Sequence, residues 1–118
     1  MNAREALGRQ GEQLAAEFLE QSGLRILDRN WRCGEGEIDI VAADRRVLVV
    51  CEVKTRSGTR FGTPLEAISA RKHARLRRLA VRWVVASGVL FDEIRIDVVG
   101  VLRVAPGEFR LEHIRGAG

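Results

Sequence analysis

The chain has no tyrosine, and its phenylalanines and tryptophans amount to only 5% of 118 residues. Proteins that hold single-stranded nucleic acid commonly stack bases on aromatic rings, so this poverty argues against base-stacking readout and leaves backbone and shape recognition. Cysteine is scarce too. Cys33 and Cys51 form no Cys-x-x-Cys, and His73 and His113 stand alone without ligand spacing. A disulfide framework and a zinc site are therefore not indicated, the thiols are expected to be reduced, and each histidine is assigned to the surface. No apolar run approaches the ~20 residues of a membrane span, and Met1 to Gly8 contains no apolar signal region, which predicts a cytoplasmic protein. The glycines make no phosphate loop. Gly34-Glu35-Gly36 lacks the Gly-Lys-Ser/Thr that cradles a nucleotide, and Gly8 to Gly11 makes no dinucleotide fingerprint.

What is present is charge on an apolar background. Apolar residues make up 46% and charged residues 31%, the length suits a single domain over 1–118, and the formal net charge is +4. A basic balance favours an acidic partner such as nucleic acid.

The stretch from Glu37 to Lys54 is the most informative. Two apolar runs flank a short polar bridge, Ala43 to Arg46, as in a hairpin. Residues alternate between faces along a strand, so Glu37 shares a face with Asp39, and Glu52 with Lys54. A turn centred near Asp44 and Arg45 places Glu37 opposite Glu52 and Asp39 opposite Val50, with Asp39 a diagonal neighbour of Glu52. Diagonal partners lie roughly 7 to 8 Å apart, a gap that one divalent cation could help close. Charge inside strands is costly unless it is paired or holds an ion.

Helical spacing runs from Ala3 to Gln21, ended by Gly23. Glu12 lies toward one edge of the apolar arc, beside Gly8 and Gly11, which remove bulk and allow close approach to a sheet. It reads equally as a carboxylate turned to the sheet or as a boundary residue reaching solvent. Leu24 to Cys33 reads as a first strand in which Trp31 is a packing residue. After Lys54, Thr55 to Gly62 reads as a mobile basic loop carrying Arg56 and Arg60. Thr63-Pro64-Leu65-Glu66 has the form of a capping box, and Ser69 offers a second N-cap for a main helix over about 70–87, closed by Gly88.

On that helix Arg71, Arg75, Arg78 and Arg82 form a basic ridge beside the apolar arc, a face suited to phosphates or simply to water. Lys72 lies within the arc at the helix's N-terminal end and is expected to reach toward the charged end of the sheet. Ile94 to Val101 reads as a fourth strand, and Phe109, Leu111 and Ile114 mark an edge strand. Asp97 is assigned to pairing with Arg95 or a neighbouring arginine.

Taken together, Gly8-x-x-Gly11-Glu12, Gly36-Glu37-Ile38-Asp39, Glu52-Val53-Lys54-Thr55-Arg56, Phe61-Gly62-x-Pro64-x-Glu66-Ala67 and Lys72-x-x-Arg75-Leu76 resemble the YraN family of small bacterial proteins. That family is related to the archaeal Holliday junction resolvases, and the similarity spans about Gly8 to Val101. It implies an α/β fold with a restriction-endonuclease-like core: a mixed central sheet flanked by helices in the order helix, strand, strand, strand, helix, strand (αβββαβ). The resemblance further implies Asp39, Glu52, the carbonyl of Val53 and Glu12 around Mg2+ or Mn2+, with Lys54 beside the scissile phosphate. Arg56, Arg60, Arg71, Lys72, Arg75, Arg78 and Arg82 are the candidate nucleic-acid contacts.

The function this implies is a metal-dependent, structure-selective endonuclease acting on branched or otherwise irregular duplex DNA. By analogy with the resolvases it would work as a homodimer, one site per strand. Two other readings use the same residues: a non-catalytic nucleic-acid-binding accessory protein that keeps the fold, and a partner-binding domain whose acidic pocket is an ion-pair cluster around Lys54.

Overall fold

The computed structural model describes residues 2–58 and 68–117. The elements run α1 (Ala3–Gln21), β1 (Arg25–Cys33), β2 (Gly36–Asp44), β3 (Val47–Ser57), α2 (Ala70–Ser87), β4 (Glu93–Ala105) and β5 (Glu108–Ile114). The five strands form one mixed sheet in the order β1-β2-β3-β4-β5. Every neighbouring pair is antiparallel except β3 and β4, which run parallel on either side of α2 in the chain. Among the described residues no helix is long and apolar enough to cross a membrane.

Local chemistry explains the helix ends. Asn2 accepts from the Glu5 N–H at 2.8 Å to start α1, and Gly23, at φ 98°, takes the left-handed conformation just beyond it. Ser69 Oγ accepts from the Lys72 N–H at 3.1 Å to start α2, and Gly88, at φ 74°, closes it. The capping box expected at Thr63 to Glu66 lies outside the described residues.

Each helix covers one face. α2 lays Leu76, Leu79, Ala80 and Trp83 on Ile38, Val41, Leu48, Val50, Ile96 and Val98. α1 lays Ala15, Ala16 and Leu19 on Ile40, Ala42, Val49, Cys51, Val99 and Val101. Even-numbered residues of β3 therefore face α2 and odd-numbered ones face α1, except at its exposed end, where Arg56 lines a cleft beside α1. Trp31 packs at the edge of the α2-side core, as expected, and the Trp83 indole N–H donates to Asp28 Oδ2 at 3.0 Å.

Four details differ from the sequence reading. The hairpin turns at Arg45 and Arg46, with Arg45 at φ 56°, so Asp44 pairs with Val47 and Ile40 with Cys51. That register is two residues away from the expected one. β3 also runs on through Thr55, Arg56 and Ser57, where a loop was expected, because these residues pair with Val101, Leu102 and Arg103 of β4.

The third difference concerns the glycines of α1. A Cβ on Gly11 would sit 2.1 Å from Thr55 Oγ1, so this glycine does let the helix approach β3, but a Cβ on Gly8 would meet nothing within 4 Å. The fourth is His113, which is not a surface residue. It sits on β5 opposite Val99, a diagonal neighbour of the fully buried Asp97, with its Nε2 2.8 Å from Asp97 Oδ2 and its ring edge-on to Phe18.

Asp97 also takes Arg95 Nε and Nη2 at 2.9 and 3.0 Å and the Gly116 N–H at 3.0 Å, so the expected pairing with Arg95 is present within a larger network. Burial raises its pKa, but the bonds from His113, Arg95 and Gly116 outweigh burial and hold it below 3.8.

The glycine contrast yields a stability test. Gly8→Ala should raise the unfolding free energy by about 0.5–1 kcal/mol through helix propensity. Gly11→Ala should lower it by about 1–3 kcal/mol through overpacking, a loss partly restored by Thr55→Ala. Denaturant melts of the three variants check this, and equal responses at the two glycines would contradict the packing described.

Candidate functional site

The β2–β3 ladder ends at Ile40 and Cys51, and the candidate site begins one residue further on. Ile38 packs on the α2 side and Ile40 on the α1 side, so the two-residue alternation of β2 slips by one at Asp39. The Asp39 carboxylate takes over where the backbone pairing stops: the Val53 N–H donates to its Oδ2 at 2.9 Å. A short polar side chain at this point satisfies a donor that would otherwise lose its strand partner.

Glu52 and Lys54 occupy even positions of β3 and so face α2, both half-buried. Lys72, from the first turn of α2, reaches Glu52 Oε1 at 2.5 Å, as its place in the apolar arc predicts. Among the described residues, the other oxygen, Glu52 Oε2, is buried without a hydrogen-bond partner. An orphaned buried carboxylate oxygen costs about 1–3 kcal/mol or more.

On the opposite face, Gly11 brings α1 against Thr55, which holds half-buried Glu12 at the wall of two clefts. Of the two readings of Glu12, the structure supports the one turned toward the sheet end. Its charge acts on Asp39, as do those of Glu52 and Glu37. Burial raises the Asp39 pKa most, the Val53 N–H pulls it back, and the three carboxylates add to the rise, which takes it from 3.8 to about 6. Glu37 is engaged by Arg32 at 2.7 Å, across the β1–β2 pair.

The charged groups are thus gathered without yet being pooled. Among the described residues no three His, Cys, Asp or Glu side chains stand close enough to hold a metal ion as placed. Asp39 is turned to Val53 and Glu52 to Lys72. The donor set nevertheless suits a hard cation. Glu12, Asp39 and Glu52 are all oxygen donors, one oxygen is orphaned, and burial together with mutual repulsion raises the Asp39 pKa, a strain that a divalent ion relieves. Cys51 is no nucleophile, because burial pushes its thiol well above its usual pKa.

Of the candidate nucleic-acid contacts, Arg71, Arg75, Arg78 and Arg82 are exposed along α2, and Arg82 meets Glu35 at 3.3 Å. Arg56 is exposed near Glu12, in one of its two clefts, and Arg60 lies outside the described residues. The buried group that the sequence reading missed is His113. Its only signal is its place on an edge strand whose pairing with β4 brings it beside Asp97.

A family model described as "Uncharacterised protein family UPF0102" matches residues 11–101. A UPF0102 protein of Frankia casuarinae is 55% identical over 117 residues, covering 99% of each chain. One from Beutenbergia cavernae is 52% identical over 118 residues, the whole of both chains. One from a Nocardioides species is 56% identical over 115 residues, covering 98% of this chain and 93% of its own.

The raised pKa of Asp39 has a thermodynamic sign. An acid whose folded pKa lies above its unfolded value stabilises the fold fully below about 3.8, and that contribution is lost as pH climbs through about 6. In metal-free buffer, Asp39→Asn should therefore leave stability unchanged at pH 3.5 and raise it at pH 7.5, by up to about 3 kcal/mol. Urea melts at the two pH values decide this, and a destabilised variant at pH 7.5 would contradict the crowding described.

Proposed function

The chain belongs to uncharacterised protein family UPF0102, and from that premise we propose that it is a metal-dependent nuclease hydrolysing phosphodiester bonds of branched or irregular duplex DNA. The observation that carries the reading is the unpartnered, buried Glu52 Oε2 next to an aspartate whose pKa is raised to about 6 by burial and by neighbouring carboxylates. Repelling acids half-buried at a sheet end destabilise a fold, and binding a hard cation is the chemistry that makes such an arrangement useful.

The order of elements, α1, three antiparallel strands, α2 and a parallel β4, supports a restriction-endonuclease-like core. In that reading Asp39, Glu52 and the Val53 carbonyl would hold Mg2+ or Mn2+, with Glu12 as an added acidic ligand from α1. When bound, the ion supplies Lewis-acid charge against the extra negative charge of the phosphodiester transition state. The chain's own residues do the rest. Lys54, on the Glu52 face of β3, supplies a fixed positive charge for the phosphate. Lys72 holds the Glu52 carboxylate in place through Oε1 and leaves Oε2 available. The half-buried setting strengthens each of these interactions by excluding water.

A second reading is favoured by the same Lys72–Glu52 ion pair, which already neutralises part of the acidic cluster. In it the protein binds nucleic acid without cutting and keeps the acids as a structural pair.

Incubating the protein with four-way, flapped and plain duplex DNA in Mg2+ or Mn2+ separates the two. Cleavage by wild type, reduced about 100-fold or more in Glu52→Ala, Asp39→Ala and Lys54→Ala, is the expected result. No cleavage of any substrate by wild type, or undiminished cleavage by Glu52→Ala, would remove the nuclease. Metal titration followed by melting adds an independent readout: Mg2+ should raise the melting temperature of wild type and not of Glu52→Ala.

A further inference from the structure

Besides Lys54 and Lys72, a second set of arginines, apart from the α2 ridge, lines the clefts that flank Glu12. Glu12 and Gly8 form a shared wall between two open clefts on the α1 side of the sheet. One cleft is lined by Arg4 and Arg56 together with Val53 and Thr55. The other is lined by Arg9 and Arg29, with Arg32 committed to Glu37 and Glu5 bonded to the side chain of Asn2. Arg4, Arg9, Arg29 and Arg56 are all exposed, and among the described residues none of them makes an ion pair. Arg29 is steadied by Gln13 Oε1 at 2.7 Å, and Arg56 by the Thr55 carbonyl at 2.9 Å.

Gly8 has no packing reason to be glycine. It lies inside a helix, where glycine weakens the structure, and a Cβ there would meet nothing within 4 Å. Its position in the wall of both clefts supplies a reason: without a side chain, the crest of α1 between them stays low.

The geometry points to a continuous track for a phosphodiester strand, running from Arg4 and Arg56, over the saddle at Gly8 and past Glu12, to Arg9 and Arg29. This rests on the nucleic-acid reading above and deepens it by placing the phosphates that flank the sheet end on the α1 side. Phosphates on either side of the acidic centre would meet guanidinium groups, while the phosphate at the centre would lie beside Glu12.

The test measures binding of fluorescently labelled four-way junction and linear duplex by anisotropy, in EDTA so that nothing is cut, across a series of salt concentrations. Arg9→Ala/Arg29→Ala and Arg110→Ala/Arg115→Ala remove the same net charge from the α1 side and from the exposed β5 edge of the sheet. The first pair should weaken binding at least tenfold and flatten the salt dependence by about 2 in log–log slope. The second should stay within about threefold of wild type by the same electrostatic reasoning. Gly8→Met, which fills the saddle with a good helix former, should also lose at least tenfold in affinity while melting no lower than wild type.

Undiminished binding by Arg9→Ala/Arg29→Ala and Gly8→Met, or equal losses from the two arginine pairs, would overturn the track and leave the nuclease reading standing. No DNA binding by wild type would overturn both.

Discussion

Burial of β3 on both faces is the constraint from which the rest of the molecule follows. Leu48, Val49, Val50 and Cys51 are fully buried, two against α2 and two against α1, each stabilising the fold by about 1.5–3 kcal/mol or, for the smaller cysteine, somewhat less. A one-residue shift of a strand gripped in this way would exchange the two sets between the helices and undo the packing on both faces. Its continuation is therefore placed as firmly as its core: Glu52 and Lys54 go to the α2 side, Val53 and Thr55 to the α1 side. Gly11 then lets α1 close on Thr55, which delivers Glu12 to the same sheet end from the opposite face.

Two aspartates show how differently this sheet treats one residue type. Asp97 is fully buried, yet Arg95, His113 and the Gly116 N–H surround it and lower its pKa. Asp39 is raised by burial first, and its single backbone donor does not offset that burial and the three neighbouring carboxylates. The first is a satisfied structural group, needed to join β4, β5 and the turn that follows. The second is left in surplus negative charge. Perturbation of this kind, caused by burial and like charges in a cleft, marks sites of chemistry more often than sites of architecture.

The helices were legible in the sequence because their signals are local. Ser69, Gly88 and Gly23 act within a turn of themselves, and the position of Lys72 in an apolar arc determines which way it reaches. The acidic positions of β2 and β3 were legible as charges inside apolar runs. The register between them was not, because the turn places the non-glycine Arg45 at positive φ, a choice that carries no strong sequence mark. Thr55, Arg56 and Ser57 look like a loop by composition and become strand only through their partners on β4, Val101, Leu102 and Arg103. His113 meets Asp97 through pairing of separate strands, and the openness around Gly8 depends on what lies above a helix. Spacing along the chain records neither.

The parallel β3–β4 pair carries a kinetic consequence. All of α2 and its flanking segments lie between the two strands, so their pairing closes the longest loop in the sheet, whereas β1, β2 and β3 join through short turns. Asp39, Glu52 and Lys54 sit in the quickly formed half. Until β4 arrives, β3 is an open apolar border with unpaired amides, the kind of surface on which nascent chains stick to one another. Glu52, Lys54 and Arg56 stand directly beside that border, where charge opposes such sticking.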